Sequence, residues 1–202
     1  MNKINQLLPG YHFAEYLLVL NPHEELQNKI LHIKQAFKEK YKTSLPATKA
    51  HITLVQFYTW QMMEEKIKQR LQIIAMGTPP FKIDLKDYAS FPTHTIYINV
   101  ATKNAIRELV KEMQSARRLM KSPDHNPHFI MEPHISLARK LTAVQYKEAW
   151  DDFAHRHFTG SFIADSMLLL KRKEGDTKYQ IVQRFEFMNL PVSVKQGELF
   201  MV

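Results

Sequence analysis

The sequence predicts a mixed fold of helices and strands assembled by internal duplication. Two observations carry that expectation. The strings His51-Ile52-Thr53-Leu54 and His134-Ile135-Ser136-Leu137 stand 134 − 51 = 83 residues apart, and the order of elements around the first recurs around the second. A third observation bounds the size: 202 residues, 45% apolar and 24% charged, suit one domain of two tight lobes with a real core.

The elements follow in order. Apolar and aromatic residues from Phe13 to Leu20 read as a strand, and Pro22 opens a helix running to about Lys42. Leu26, Ile30, Ile33 and Phe37 repeat at helical steps on its buried face, with Lys29, Lys34, Lys38 and Lys40 on others. A polar loop with Pro46 precedes a β-type run from His51 to Tyr58. A second helix, about Met62 to Ala75, is stopped by Gly77, Pro79 and Pro80, and Phe81 to Phe91 alternates as a strand. After Pro92 the order restarts: strand His94 to Ala101, helix Ala105 to Met120, loop Lys121 to Pro133 and strand His134 to Lys140. A helix from Thr142 to His157 follows, with Thr142 and Gln145 spaced as a capping box. Strands near Phe162 to Lys173 and Tyr179 to Asn189, joined by a turn at Gly175-Asp176, close the chain. The repeat units are then about 11–92 and 93–190 within a single domain, 1–202.

Composition excludes several chemistries. The chain has no Cys, so disulfides, Cys-based zinc sites, iron–sulfur clusters and thiol nucleophiles are ruled out, and a reducing, cytoplasmic setting is expected. Five glycines, no two of them close, rule out a dinucleotide fingerprint and a Walker phosphate loop. The apolar stretch Tyr16 to Leu20 is far short of the roughly 20 residues of a membrane span, so a soluble monomer is expected. The formal charge of +8 favours an anionic partner such as nucleic acid or a nucleotide.

The two tetrads carry the chemistry. In a strand, side chains two apart share a face about 7 Å along the backbone, so His51 pairs with Thr53 and His134 with Ser136, while Ile52, Leu54, Ile135 and Leu137 turn to the core. If the halves face each other across a groove, two imidazoles and two hydroxyls converge. Such a set suits a phosphodiester: hydroxyls donate to non-bridging oxygens, and the imidazoles divide the proton transfers as base and acid without a metal or other cofactor.

The paired tetrads resemble the signatures of the two-histidine (2H) phosphoesterase superfamily. The string Pro133-His134-Ile135-Ser136-Leu137-Ala138-Arg139 is similar to the second motif of its 2'-5' RNA ligase/cyclic phosphodiesterase branch. That resemblance implies an α+β fold, bilobal by internal duplication, with two antiparallel sheets, helices on their outer faces and a central groove. It also implies metal-independent hydrolysis of a 2',3'-cyclic phosphate at an RNA end or in a cyclic nucleotide, or reversible 2'-5' joining. His51 and His134 match the catalytic histidines, and Thr53 and Ser136 the phosphate-binding hydroxyls. His134 is assigned to activate water and His51 to protonate the departing ribose oxygen. Two departures stand out: Val55-Gln56-Phe57-Tyr58-Thr59 lacks the branch's Gly, and Ser136 replaces the commoner Thr. A non-catalytic RNA or nucleotide binder on the same fold is the alternative.

Around this centre, strand alternation puts Arg139 opposite His134 unless the strand bulges, and gives Lys140 the parity of His134. Tyr11, Phe13 and Tyr58 are candidates for stacking a base. Arg117-Arg118, Lys121 and Lys171-Arg172-Lys173 are candidate basic margins. The cluster Asp124-His125-Asn126-Pro127-His128 with Glu132 fits no zinc spacing and is expected to shape one end of the groove.

Overall fold

The computed structural model of the protein describes residues 12–43, 49–92 and 94–191. Its strands are β1 (Phe13–Leu20), β2 (Ile52–Trp60), β3 (Phe81–Phe91), β4 (Thr95–Val100), β5 (His128–Phe129), β6 (His134–Ala138), β7 (Thr159–Ala164), β8 (Ser166–Lys173) and β9 (Gln180–Glu186). Its α-helices are α1 (Glu24–Tyr41), α2 (Glu64–Gly77), α3 (Lys103–Met113), α4 (Arg117–Met120) and α5 (Ala143–Phe153). Two antiparallel sheets result, in the orders β5-β2-β1-β8-β9 (sheet A) and β6-β4-β3-β7 (sheet B). Helices α2, α3 and α4 pack on sheet A, and α1 and α5 on sheet B. This is the α+β architecture the sequence implies. None of the described helices is long and apolar enough to cross a membrane.

The sheets do not divide at residue 92. Each sheet holds one tetrad strand beside the first strand of its own half, β2 with β1 and β6 with β4, and is extended by strands of the other half, β5, β8 and β9 in sheet A and β3 in sheet B. The exchange has a local cause at each crossing. β3 and β4 are consecutive and pair as a hairpin. The run read as one strand from Phe162 to Lys173 breaks at Asp165, whose carbonyl accepts from the Phe187 amide, and the chain passes there from sheet B to sheet A. The helix expected over Ala105 to Met120 is likewise divided, by a single 3₁₀ turn at Gln114–Ala116.

Packing on α1 corrects a second expectation. Its buried stripe is Leu26, Ile30, Lys34, Phe37 and Tyr41, spaced four, four, three and four; Ile33 is only partly buried. A lysine thus occupies the middle of an apolar stripe. The helix sits close to sheet B: a Cβ placed on Gly160 of β7 would meet Leu26 Cδ1 at 2.9 Å, so a larger residue there would require the Leu26 side chain to move. Helix α5 is opened by the expected capping box, with the Gln145 amide donating to Thr142 Oγ1 at 3.3 Å and the Thr142 amide to Gln145 Oε1 at 3.1 Å.

Both tetrad strands carry a β-bulge at the same place. Thr53 pairs with Val19 and Val55 with Leu18, leaving Leu54 as the extra residue; Ser136 pairs with Tyr97 and Ala138 with Ile96, leaving Leu137. Leu54 with Val55, and Leu137 with Ala138, are all buried, two consecutive side chains facing inward. Beyond each bulge the alternation is reversed.

Removing the capping hydroxyl by Thr142→Ala is expected to lower stability by about 1 kcal/mol, read as a reduced urea midpoint at unchanged slope.

Candidate active site

His51 immediately precedes β2 and His134 opens β6, and the two rings are held in the same way. His51 Nδ1 lies 2.6 Å from the Lys49 carbonyl oxygen, and His134 Nδ1 lies 2.8 Å from that of Glu132. A carbonyl only accepts, so in each ring Nδ1 carries the proton and the neutral imidazole keeps its lone pair on Nε2. The duplication therefore extends to the tautomer of its histidines. Phe91 and Tyr97, which sequence reading did not single out, flank the His134 ring at 5.0 Å each between centroids.

Burial lowers the proton affinity of both rings. His51 is pulled down to about 4, first by desolvation and then by the positive charges of Lys34, Arg139 and His134, against the bond to Lys49. His134 is lowered too, by desolvation foremost and by Arg139, but the Lys-bound Glu132 carboxylate pulls the other way. The charge of His134 acts on His51, and β2 and β6 are in contact, so the two tetrads lie near one another.

Two cations lie near them. Sequence alternation set Arg139 behind the strand, yet the bulge at Leu137 returns it to the side of His134, where its charge acts on both imidazoles and on Lys34. The same reversal corrects Lys140, which loses the parity of His134 and stands exposed with a left-handed backbone (φ 56°). Lys34 was missed because a lysine on an amphipathic helix reads as solvent-facing; the signal available was its place in the four, four, three spacing. It is 5% exposed, and burial, reinforced by Arg139, lowers its ammonium to about 8. Among the described residues it makes no hydrogen bond or ion pair, and neither does the hydroxyl of Thr53 or Ser136.

The remaining expected residues lie further along. Phe13, Tyr58 and His125 form a ring cluster, with centroids 5.9 Å apart for Phe13–His125 and 5.1 Å for Tyr58–His125, which sets the loop around His125 against one end of sheet A. Tyr11 lies outside the described residues. Two of the three cations in Lys171-Arg172-Lys173 are not a free margin: Lys171 binds Glu64 at 2.7 Å and Arg172 binds Glu15. Glu132 is held by Lys103 at 2.9 Å and Arg107 at 2.6 Å.

The family model described as the 2'-5' RNA ligase superfamily matches residues 22–176, more than half of the chain and both tetrads. The chain belongs to the 2'-5' RNA ligase superfamily. It is similar to "Putative phosphoesterase GK0864" of Geobacillus kaustophilus, 28% identical over 141 residues that cover 67% of this chain and 75% of that protein. A "Putative phosphoesterase" of Geobacillus thermodenitrificans is 27% identical over 166 residues, 80% of this chain and 90% of its own. Its fold is similar to that of LigT of E. coli complexed with NADP+, with a TM-score of 0.63 at 16% identity over 87% of this chain and 99% of LigT. The TT0787 protein of Thermus thermophilus aligns with a TM-score of 0.58 at 14% identity, covering 86% of this chain and 98% of that one.

The depressed affinity of His51 has a consequence for stability in this superfamily member. Its folded value lies below the unfolded value of about 6.5, so its contribution is fully present above that pH and is lost as pH falls toward about 4. Urea unfolding of the wild type should weaken across that window, and His51→Asn should flatten the decline.

Proposed function

We propose that the protein is a phosphoesterase that opens 2',3'-cyclic phosphates at RNA ends or in cyclic nucleotides. The observation that carries this reading is the paired arrangement of His51 and His134, each locked by Nδ1–H to a carbonyl two residues upstream and each left with a free Nε2. Water attacks phosphorus, one Nε2 takes the water's proton, and the other, already protonated, gives its proton to the ribose oxygen that leaves. The product is a phosphomonoester, and the two imidazoles exchange one proton overall.

The electrostatics favour the reverse of the assignment made from sequence. A base must be neutral, and His51 is the ring with the lower proton affinity. An acid must hold a proton, and His134 is the less depressed and has the Glu132 carboxylate near it. His51 is accordingly assigned as base and His134 as acid. An anionic substrate between them raises both values, because opposite charge favours the imidazolium. Thr53 and Ser136 donate to non-bridging oxygens, with Lys34 and Arg139 offsetting the charge that builds on them. No step calls for a metal or a cofactor. Joining of ends is the same ring-opening with another nucleophile: a 5'-hydroxyl attacks phosphorus in place of water, the 3'-oxygen leaves with the proton from the acid, and a 2'-5' phosphodiester forms instead of a monoester.

His51→Ala and His134→Ala should each lower turnover of a 2',3'-cyclic phosphate by about 10²–10⁴-fold in the presence of chelator. Full activity of either variant, or loss with chelator, would overturn the mechanism; RNA binding without turnover would favour a binding module. For the wild type, kcat/KM should peak on the acid side of pH 6.5, since the free protein needs His51 neutral and His134 charged and both values are depressed.

Lys34→Met keeps the bulk of the stripe and removes its buried charge. It should leave the thermal midpoint unchanged or higher while lowering kcat/KM by about tenfold or more. A fall in stability at unchanged kcat/KM would show a merely structural lysine.

A further inference from the structure

The face of sheet A that carries Thr53 continues beyond the phosphate site. In β1, Val19, Leu17 and Glu15 alternate on one face, and they pair with Thr53, Gln56 and Tyr58 of β2 and with Leu168, Leu170 and Arg172 of β8. The bulge at Leu54 is what puts Tyr58 on this face. At its far end lies a cleft of about 400 Å³ lined by Phe13, Glu15, Tyr58, Arg172, Glu174 and Asp176. From Thr53 to Tyr58 is five residues of strand, one of them in the bulge, or about 13–16 Å.

The cleft is built around a buried carboxylate. Glu15 is 6% exposed; burial alone would raise its proton affinity, but hydrogen bonds from Tyr179, Tyr58, Arg172 and Gln56 outweigh it and hold the group ionised. Arg172 and Gln56 donate to it, Arg172 through Nε at 2.9 Å, which holds the guanidinium beside the Tyr58 and Tyr179 rings. Arg172 in turn lies 4.8 Å from the Tyr179 ring centroid, and His125 leans on Tyr58 from the opposite loop. The carboxylates of Glu15, Glu174 and Asp176 offset Arg172 and Lys173, so the cleft has no excess of positive charge to hold a phosphate. Rigid aromatic faces with mixed polar groups suit an uncharged, flat, hydrogen-bonding ring.

We infer that this cleft is a subsite for the base of a nucleotide upstream of the reacting one, so that the preferred substrate is an oligonucleotide end and not a cyclic mononucleotide. The base of the reacting nucleotide lies one sugar ring from its own phosphate, whereas a ring bound 13–16 Å away belongs to a neighbour. The inference rests on the cyclic-phosphate reading for its chemistry but not for its binding.

The test compares RNAs of one, two and three nucleotides. With 2',3'-cyclic ends, kcat/KM should rise by about 5- to 150-fold once a base reaches the cleft, the worth of stacking one base. Tyr58→Ala and His125→Ala should each reduce the ratio of long to short substrate toward one, and Tyr58→Phe should keep it; His125 is exposed on a loop, so its loss spares the fold. Equal kcat/KM at all lengths, or an unaltered ratio in both alanine variants, would overturn the subsite. The same lengths ending in a 3'-phosphate, titrated for binding alone, separate the two claims. Affinity that grows with length without turnover upholds the subsite and overturns the phosphoesterase; turnover without length dependence does the opposite.

Discussion

The site depends on a pair of β-bulges. Each falls on the fourth residue of a tetrad, Leu54 or Leu137, and turns two consecutive apolar side chains into the core. Up to the bulge the strand presents its histidine and hydroxyl residue to the groove. Past it, residues that plain alternation would bury are delivered to the same side: Arg139 in sheet B, Gln56 and Tyr58 in sheet A. One extra residue per strand thus adds a cation to the first site and a wall to the neighbouring cleft. A bulge of this kind re-aims side chains without a loop, and its cost is offset by the buried leucine.

The charge arrangement follows from the same packing. Two imidazoles, a buried lysine and an arginine act on one another, and the Glu132 carboxylate that acts on His134 is held by Lys103 and Arg107. Burial foremost, and the mutual repulsion of these cations after it, hold His51 neutral and bring Lys34 to about 8. An anion relieves that repulsion. The free protein therefore stores part of its electrostatic cost as affinity for a phosphate, and in the proposed mechanism His134 holds the proton that the acid needs while the lower affinity of His51 keeps it the base.

Much of this was legible in the chain. The tetrads, their spacing, the strand and helix order and the Thr142–Gln145 cap are local patterns, and local patterns survive folding. What the sequence hid was non-local. Leu54-Val55 and Leu137-Ala138 read as ordinary apolar pairs until a partner strand supplies the register that makes them bulges. The passage of the chain into sheet A at β8 turns on a break at Asp165 within a run that reads as one strand. Lys34 obeys the helical period of its apolar neighbours, but composition argues for solvent and only packing reveals burial. Arg172 was read as a basic margin because its counter-ion, Glu15, is 157 positions away in sequence.

At the centre of the proposed chemistry, the two histidines form one uncharged pair that a phosphate makes cationic. Nitrogen NMR of the imidazoles, titrated with pH in the absence and presence of inorganic phosphate, reads this directly. Without phosphate, His51 and His134 should both be neutral at pH 7 with the proton on Nδ1 and titrate below 6.5, His51 the lower; with saturating phosphate both midpoints should move up. Midpoints near 6.5 that ignore phosphate, or a proton on Nε2 in either ring, would contradict it.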